Sequence, residues 1–238
     1  MDSLLVERRY AASRQRAAAL IMAGKVTVDG VLADKPGKQV LDSSEVTVRE
    51  DMPYVSRGGI KLAGALDAFG RDPSGLAILD AGASTGGFTD CLLQRGASMV
   101  IAVDVGYGQI HWNMRCDPRV VVMERVNARS LTVADLPCPI DAAVADLSFI
   151  SLKLVLPVLR ELLPVGGWLL PLIKPQFEVG RSDVGKGGVV RDAAKIRRVV
   201  DDLKEFAAGA GFDVLGEVES SIRGPKGNQE YFLNLVKR

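Results

Sequence analysis

Leu79-Asp80-Ala81-Gly82-Ala83-Ser84-Thr85-Gly86-Gly87-Phe88-Thr89 is the stretch from which the fold of this 238-residue chain can be read. An apolar run from Leu76 to Leu79 ends in an acid, passes into a loop of small residues and gives way to a helical pattern. That order predicts a strand, a tight turn and a helix N-terminus, where backbone N–H groups and the helix dipole can hold a polar ligand.

Three readings of the loop compete. A phosphate-cradling loop needs a lysine after its last glycine, and none follows Gly86 or Gly87. A dinucleotide fingerprint needs Gly-x-Gly-x-x-Gly, whereas Ala83-Ser84 leaves only Gly82 and the Gly86-Gly87 pair. S-adenosylmethionine has no phosphate, and the zwitterion of its methionine part suits an acid at a strand end beside a glycine-rich turn. A plain packing turn would look similar.

Outward from the loop, strand and helix patterns alternate. Strands are predicted at 77–80, 99–105, 120–124, 142–146, 168–174, 212–218 and 230–236. Helices are predicted at 87–95, 109–115, 152–163 and 193–208, with one before the loop at 60–69, capped by Ser56-Arg57-Gly58-Gly59. Near-continuous apolar strands between helices imply a mostly parallel sheet covered on both faces. The connection from Ile222 to Gln229 is too short for a crossover, so the last two strands should pair as a hairpin with the final one antiparallel. Seven strands with one reversed is the class I methyltransferase outline.

Ahead of this region, residues 1–52 read as a separate unit and 53–238 as the catalytic one, with Glu50-Asp51-Met52-Pro53 as the linker. Two short helices, the second capped by Ser13 and closed near Gly24, precede a hairpin turning at Asp29-Gly30. Val40 to Arg49 alternates and should complete that unit's sheet. Over residues 1–28, Arg8, Arg9, Arg14, Arg16 and Lys25 outnumber Asp2 and Glu7, a local balance of +3. A solvated helical face would also show arginines.

Composition narrows the classes. With 47% apolar and 25% charged residues the chain is globular, and a net charge of +1 leaves any basic surface local. Cys91, Cys116 and Cys138 are few and scattered, fitting reduced thiols in the cytosol with neither a disulfide framework nor a metal site. A single histidine, His111, makes a metal cluster or a Ser-His-Asp triad unpromising. No stretch reads as a secretory signal or a membrane span, so a cytoplasmic monomer is expected.

At the carboxyl edge of such a sheet, Asp80 ends the first strand and Asp104 the second, where an acid commonly accepts ribose hydroxyls. Asn127 follows the third strand, where an adenine edge would lie. The fourth and fifth strands end at Asp146 and Lys174, and Glu230 opens the reversed seventh. These three should meet in one cleft, with Lys61 arriving from the preceding helix, although a surface ion-pair cluster would have the same composition. A lysine in a first helical turn opposes the dipole, so Lys61 is either exposed or placed for a purpose.

Two resemblances sharpen this reading. Ser13-Arg14-x-x-Ala17-x-x-Leu20-Ile21-x-x-Gly24-x-Val26-x-Val28-x-Gly30 is similar to the αL RNA-binding domain first seen in a ribosomal small-subunit protein. That likeness implies that Arg8, Arg14, Arg16 and Lys25 meet RNA phosphates, which position RNA without reading its sequence. The motifs Ser56-Arg57-Gly58-x-x-Lys61-Leu62, Asp80 through Thr89, Val103-Asp104-Val105-Gly106-x-Gly108-Gln109, Asp146-Leu147-Ser148-Phe149-Ile150-Ser151 and Ile173-Lys174-Pro175-Gln176-Phe177-Glu178 resemble the TlyA family. These are rRNA 2′-O-methyltransferases, once described as hemolysin A, within the FtsJ-like (RrmJ) superfamily.

The family's Lys-Asp-Lys-Glu tetrad falls on Lys61, Asp146, Lys174 and Glu230. The resemblance implies S-adenosylmethionine held by Asp80, Gly82, Ala83, Ser84, Thr85, Gly86, Gly87, Phe88, Asp104 and Asn127. It implies cytidine ribose in large-subunit rRNA as substrate, in some members small-subunit rRNA too, with ribosomal subunits as partners and no metal. A ribose hydroxyl must lose its proton as it attacks, and a lysine takes it only as a neutral amine, against an ordinary pKa of about 10.4. Partial burial and the like charge of Lys61 favour neutral Lys174, while Asp146 and Glu230 oppose it. Lys174 is then the expected base, Asp146 its orienter, and Lys61 and Glu230 the holders of the hydroxyl.

Other readings fit less well. Amino methylation of bases goes with paired prolines after the fourth strand, which Asp146-Leu147-Ser148-Phe149 lacks. Cysteine-dependent methylation of a base would need Cys138 at a strand end, and it precedes the strand instead. A ribosome-assembly protein on an inactive fold would have lost the loop or a tetrad member, and a pore-former would show a secretion signal or an amphipathic membrane segment. The basic, glycine-rich segment from Gly180 to Arg191 reads as a lid, an RNA-contacting loop or a flexible connection, with the turn from Gly224 to Asn228 a weaker candidate for the same role.

Overall fold

A computed structural model describes residues 1–49, 52–180 and 183–238, arranged as two compact units, Met1–Met52 and Pro53–Arg238. Glu50 and Asp51 of the expected linker, and Arg181 and Ser182 of the glycine-rich segment, lie outside the described residues.

In the small unit, α1 (Asp2–Glu7) and α2 (Arg14–Met22) cover a three-stranded antiparallel sheet of β1 (Val26–Val28), β2 (Val31–Leu32) and β3 (Val46–Val48), ordered β2-β1-β3. Ser13 caps α2 by accepting the Arg16 N–H at 3.2 Å. Asp29 (φ 49°) and Gly30 (φ 77°) are both left-handed, as a tight two-residue hairpin turn requires. Leu5, Ala17, Ile21 and Val26 are buried at the centre.

The third strand is shorter than the alternation from Val40 predicts. Ser44 N–H closes a turn onto the Leu41 carbonyl, and the Arg8 guanidinium donates to the carbonyls of Asp42 and Ser44. Those bonds commit the Leu41–Ser44 backbone to a turn, so Val40 packs on the core from a loop and Leu41 is exposed.

The large unit opens with α3 (Arg57–Phe69), which starts three residues earlier than the sequence predicts and ends at left-handed Gly70. A Cβ at Gly87 would stand 2.1 Å from Ser56 Oγ, so only glycine lets the N-termini of this helix and the next meet. Then β4 (Ala77–Ala81), α4 (Gly87–Gln94), β5 (Met99–Asp104), α5 (Trp112–Cys116), β6 (Val120–Glu124) and β7 (Ala142–Ala145) follow. After them come α6 (Leu156–Leu162), β8 (Trp168–Ile173), α7 (Pro175–Glu178), α8 (Ala193–Gly209), β9 (Phe212–Glu219) and β10 (Tyr231–Lys237).

The seven strands order β6-β5-β4-β7-β8-β10-β9, parallel except for β10, which runs antiparallel between β8 and β9. This is the expected sheet with its reversed final strand. Alternate strand residues enter two cores. Leu79, Ile101, Ala143 and Leu169 face one, with α6 and α8; Ile78, Val100, Val144 and Leu170 face the other, with α3 and α4. Each of those side chains is essentially inaccessible to water, and burial of a large aliphatic side chain contributes about 1.5–3 kcal/mol.

Two predicted helices differ in detail. The 109–115 segment is helical only over Trp112–Cys116, because His111 Nδ1 accepts the Asn113 N–H and sets the start there. The sole histidine is thus a helix cap. The 152–163 segment begins as a 3-10 turn, Leu152–Leu154, before α6, whose Pro157 fits only a first turn.

Candidate active site

The parallel strands end on one edge, and the loops after them build the site. Gly82 and Ala83 N–H both donate to the Val103 carbonyl, and Ser84 N–H donates to Asp104 Oδ2 at 2.8 Å, which ties the loop to β5. Gly82 (φ 89°) passes so close to the loop after β7 that a Cβ there would lie 2.7 Å from the Asp146 carbonyl oxygen. No other residue fits that position without moving Asp146.

Gly82, Ser84, Asp104 and Asn127 line a cleft of about 730 Å³, together with Gln109, Arg129, Asp146, Ser148 and Phe149. Asp104 Oδ1 also accepts the Gly106 N–H at 2.7 Å, and Asn127 Oδ1 accepts the Arg129 N–H at 3.0 Å. The remaining loop residues stand outside the cleft lining. Gly86 (φ 91°) is the N-cap of α4, and Gly87 is its buried first residue. The Thr85 carbonyl accepts the His111 N–H. Ala83 is buried in the core on the α3–α4 face. Phe88 turns into that core, its ring 5.9 Å from that of Phe232, so its side chain supports the loop from behind.

Asp80 is completely buried. Its Oδ2 accepts the Thr89 hydroxyl at 2.7 Å, whereas Oδ1 has no hydrogen-bond partner among the described residues. Loss of hydration drives its pKa up to about 7; Thr89 opposes the shift, and the charges of Asp146 and Asp104 add to it. An orphaned, buried carboxyl oxygen beside a ligand loop is suited to a cationic partner.

The four expected catalytic residues form two ion pairs. Lys61 Nζ lies 2.5 Å from Glu230 Oε2, with side chains only 8% and 1% exposed. Lys174 Nζ lies 2.6 Å from Asp146 Oδ1, a contact too angled for an aligned hydrogen bond, and donates to Ser148 Oγ at 2.8 Å. Because Tyr231 pairs with Ile173 across antiparallel β10 and β8, the next rung sets Glu230 opposite Lys174. Reversal of one strand therefore brings both pairs to a single edge. With α3 starting at Arg57, Lys61 stands in its second turn and not the first turn expected from sequence, so the helix dipole opposes it little, and its amine reaches Glu230.

Several neighbours were not legible as site residues. Phe149 is 90% exposed at a strained φ of 63°, its ring 4.9 Å from that of Phe177. Glu178 accepts Ser151 Oγ at 2.6 Å and Leu152 N–H at 2.8 Å, clamping α7 to the loop after β7, and burial pushes its carboxyl above the ordinary range. The only signal for them is their place in the two strand-end motifs.

Of the expected RNA contacts, Arg8 is half-buried, and its guanidinium donates to the Asp42 and Ser44 carbonyls and holds the turn. Arg14 is largely exposed and pairs with Asp2 at 2.9 Å. Arg16 is exposed on α2, and Lys25 is half-buried just before β1. The glycine-rich segment is anchored at its far end: Asn228 accepts the Val190 N–H and donates to the Gly188 carbonyl, both at 2.9 Å. Among the described residues no cluster of His, Cys, Asp and Glu could hold a metal, and no helix is long and apolar enough to cross a membrane.

Comparison with known proteins agrees with this geometry. The FtsJ-like methyltransferase model matches residues 54–237, and the S4 domain model matches residues 2–46. The 16S/23S rRNA (cytidine-2'-O)-methyltransferase TlyA of Mycobacterium tuberculosis is 52% identical over 235 residues, covering 98% of this chain and 88% of that one. Hemolysin A of Brachyspira hyodysenteriae is 38% identical over 99% of both chains. A solved structure from Streptococcus thermophilus, provisionally described as a hemolysin, superposes with a TM-score of 0.78 at 41% identity, covering 99% of this chain and 87% of that one. With both halves matched in order and the sheet, loop and paired lysines in place, this chain belongs to the TlyA family of FtsJ-like methyltransferases.

Proposed function

We propose that this chain is a cytoplasmic S-adenosylmethionine-dependent methyltransferase acting on the 2′-hydroxyl of cytidine in ribosomal RNA. The observation that carries the proposal is the convergence of Lys61–Glu230 and Lys174–Asp146 on the sheet edge beside the Gly82 loop. The relatives' naming for rRNA cytidine 2′-O-methylation supports the substrate class.

The residues present fit the donor. Asp80 would hold the cationic end of its methionine part, the N-terminus of α4 the carboxylate, Asp104 the ribose hydroxyls and Asn127 the adenine edge. When bound, S-adenosylmethionine supplies a methyl group on positively charged sulfur, a good electrophile. Lys174 takes the hydroxyl proton onto Nζ as the oxygen attacks, Asp146 holds that amine, and the Lys61–Glu230 pair fixes the hydroxyl. No group needs to travel far, so alignment supplies much of the rate. Exposed Phe149 offers a face on which a nucleobase can stack.

In the small unit, Arg14, Arg16 and Lys25 supply charge to RNA phosphates, which adds affinity without sequence choice. The activity test is incubation of the protein with labelled donor and ribosomal subunits from cells lacking this gene. Label in rRNA is expected; unlabelled rRNA from subunits that bind the protein would favour a ribosome-assembly role.

Asp80 makes donor binding depend on pH. Its carboxyl must be ionised to face a cation, and in the free protein it titrates at about 7. Affinity for S-adenosylmethionine is therefore expected to rise from pH 6 to pH 8, by up to about tenfold per unit on the acid side. Calorimetry across that range checks this, and Asp80→Asn should flatten the profile while weakening binding.

A further inference from the structure

We propose that Ser148 is a positioning residue for methyl transfer, its hydroxyl oxygen setting the direction of the Lys174 lone pair. This rests on Lys174 acting as the base. A tetrahedral amine nitrogen has four directions, one of them taken by its own Cε bond. In Lys174 a second carries the N–H donated to Ser148 Oγ at 2.8 Å, while Asp146 Oδ1 stands 2.6 Å away as a charge partner outside hydrogen-bond alignment. A neutral amine has two N–H groups: Ser148 is the aligned acceptor for one, and the Asp146 carboxylate draws the other to its side by charge. Its lone pair is then left with the fourth direction. With Asp146 alone, rotation about Cε–Nζ would let the lone pair and the second N–H exchange places, and the base would spend part of its time misdirected.

The backbone around Ser148 is built to keep it there. Continuing the parallel register that pairs Ala145 with Pro171 brings Ser148 level with Lys174. The next residue, Phe149, turns the chain away at φ 63°, a conformation that persists only when its surroundings enforce it. Two contacts do so: the Phe149 ring on Phe177 at 4.9 Å, and Glu178 gripping Ser151 Oγ and Leu152 N–H at 2.6 and 2.8 Å. All three anchoring residues, Lys174, Phe177 and Glu178, belong to one short segment, so Ser148 and the amine it orients are held as a unit.

The test compares Ser148→Ala and Ser148→Thr in the full chain, measuring methyl transfer to ribosomal subunits and donor binding by calorimetry. For Ser148→Ala, kcat is expected to fall about tenfold, the scale of one hydrogen bond, with KM for RNA and Kd for S-adenosylmethionine little changed. Ser148→Thr keeps the hydroxyl and should recover most of the rate. Wild-type kcat in Ser148→Ala, a rise in KM alone, or no recovery in a threonine variant that binds donor normally would each overturn the proposal. Lys174→Ala separates the two readings. If it is inactive while Ser148→Ala is wild type, only the role of Ser148 falls; if it is active, the base assignment falls and takes the role of Ser148 with it.

Discussion

Alanine at position 174 is expected to slow methyl transfer by roughly 10²–10⁴-fold, the usual contribution of a positioned general base, while donor affinity stays near wild type. In the proposed mechanism the amine is held by Asp146 at 2.6 Å and Ser148 at 2.8 Å, apart from the loop residues proposed to hold the donor. Loss of the side chain should therefore spare binding and remove chemistry. Arginine at the same position keeps the charge but does not give up its proton, so Lys174→Arg should be as inactive as alanine. Single-turnover assays with donor calorimetry check both variants. Activity of either near wild type would take Lys174 out of the base role.

Removing one partner of the Lys61–Glu230 pair is expected to cost about 3–5 kcal/mol of stability, because the other charge is left buried and uncompensated. The pair is nearly sealed from solvent, which separates it from the surface ion pairs elsewhere on the chain. Lys61→Met and Glu230→Leu should each lower the denaturant midpoint strongly. The double variant, with two apolar side chains in contact, should recover much of that loss yet stay inactive. That dissociation would assign the pair to chemistry rather than to holding the fold. A double variant that regained methyl transfer would contradict it.

Much of this was readable from local order along the chain. Apolar runs ending in Asp80, Asp104, Asp146 and Lys174 told where strands stop, and the short Ile222–Gln229 link told that the last strand reverses. From those two facts the meeting of Lys174 with Glu230 follows, since a reversed strand begins where its neighbours end. The first-turn argument for Lys61 does not hold, since α3 starts at Arg57 and places Lys61 in its second turn. What was hidden depends on contacts between distant segments. That Arg8 serves a turn is decided by carbonyls thirty-four and thirty-six residues away. The grip of Glu178 on Ser151 spans 27 residues, and the strained backbone of Phe149 has no composition signal, since bulky residues rarely adopt it. The orphaned oxygen of Asp80 is likewise a property of what surrounds it, not of the motif that contains it.

The central claim is that the methyl group goes to a ribose oxygen. Ribosomal RNA methylated by this protein with labelled donor, then digested to completion with alkali, separates the outcomes. Alkaline cleavage requires a free 2′-hydroxyl, so a 2′-O-methyl blocks the linkage beside it. The account predicts label in alkali-resistant dinucleotides with a methylated cytidine at the 5′ position. Label released on mononucleotides would mean that a base is methylated, and would contradict it.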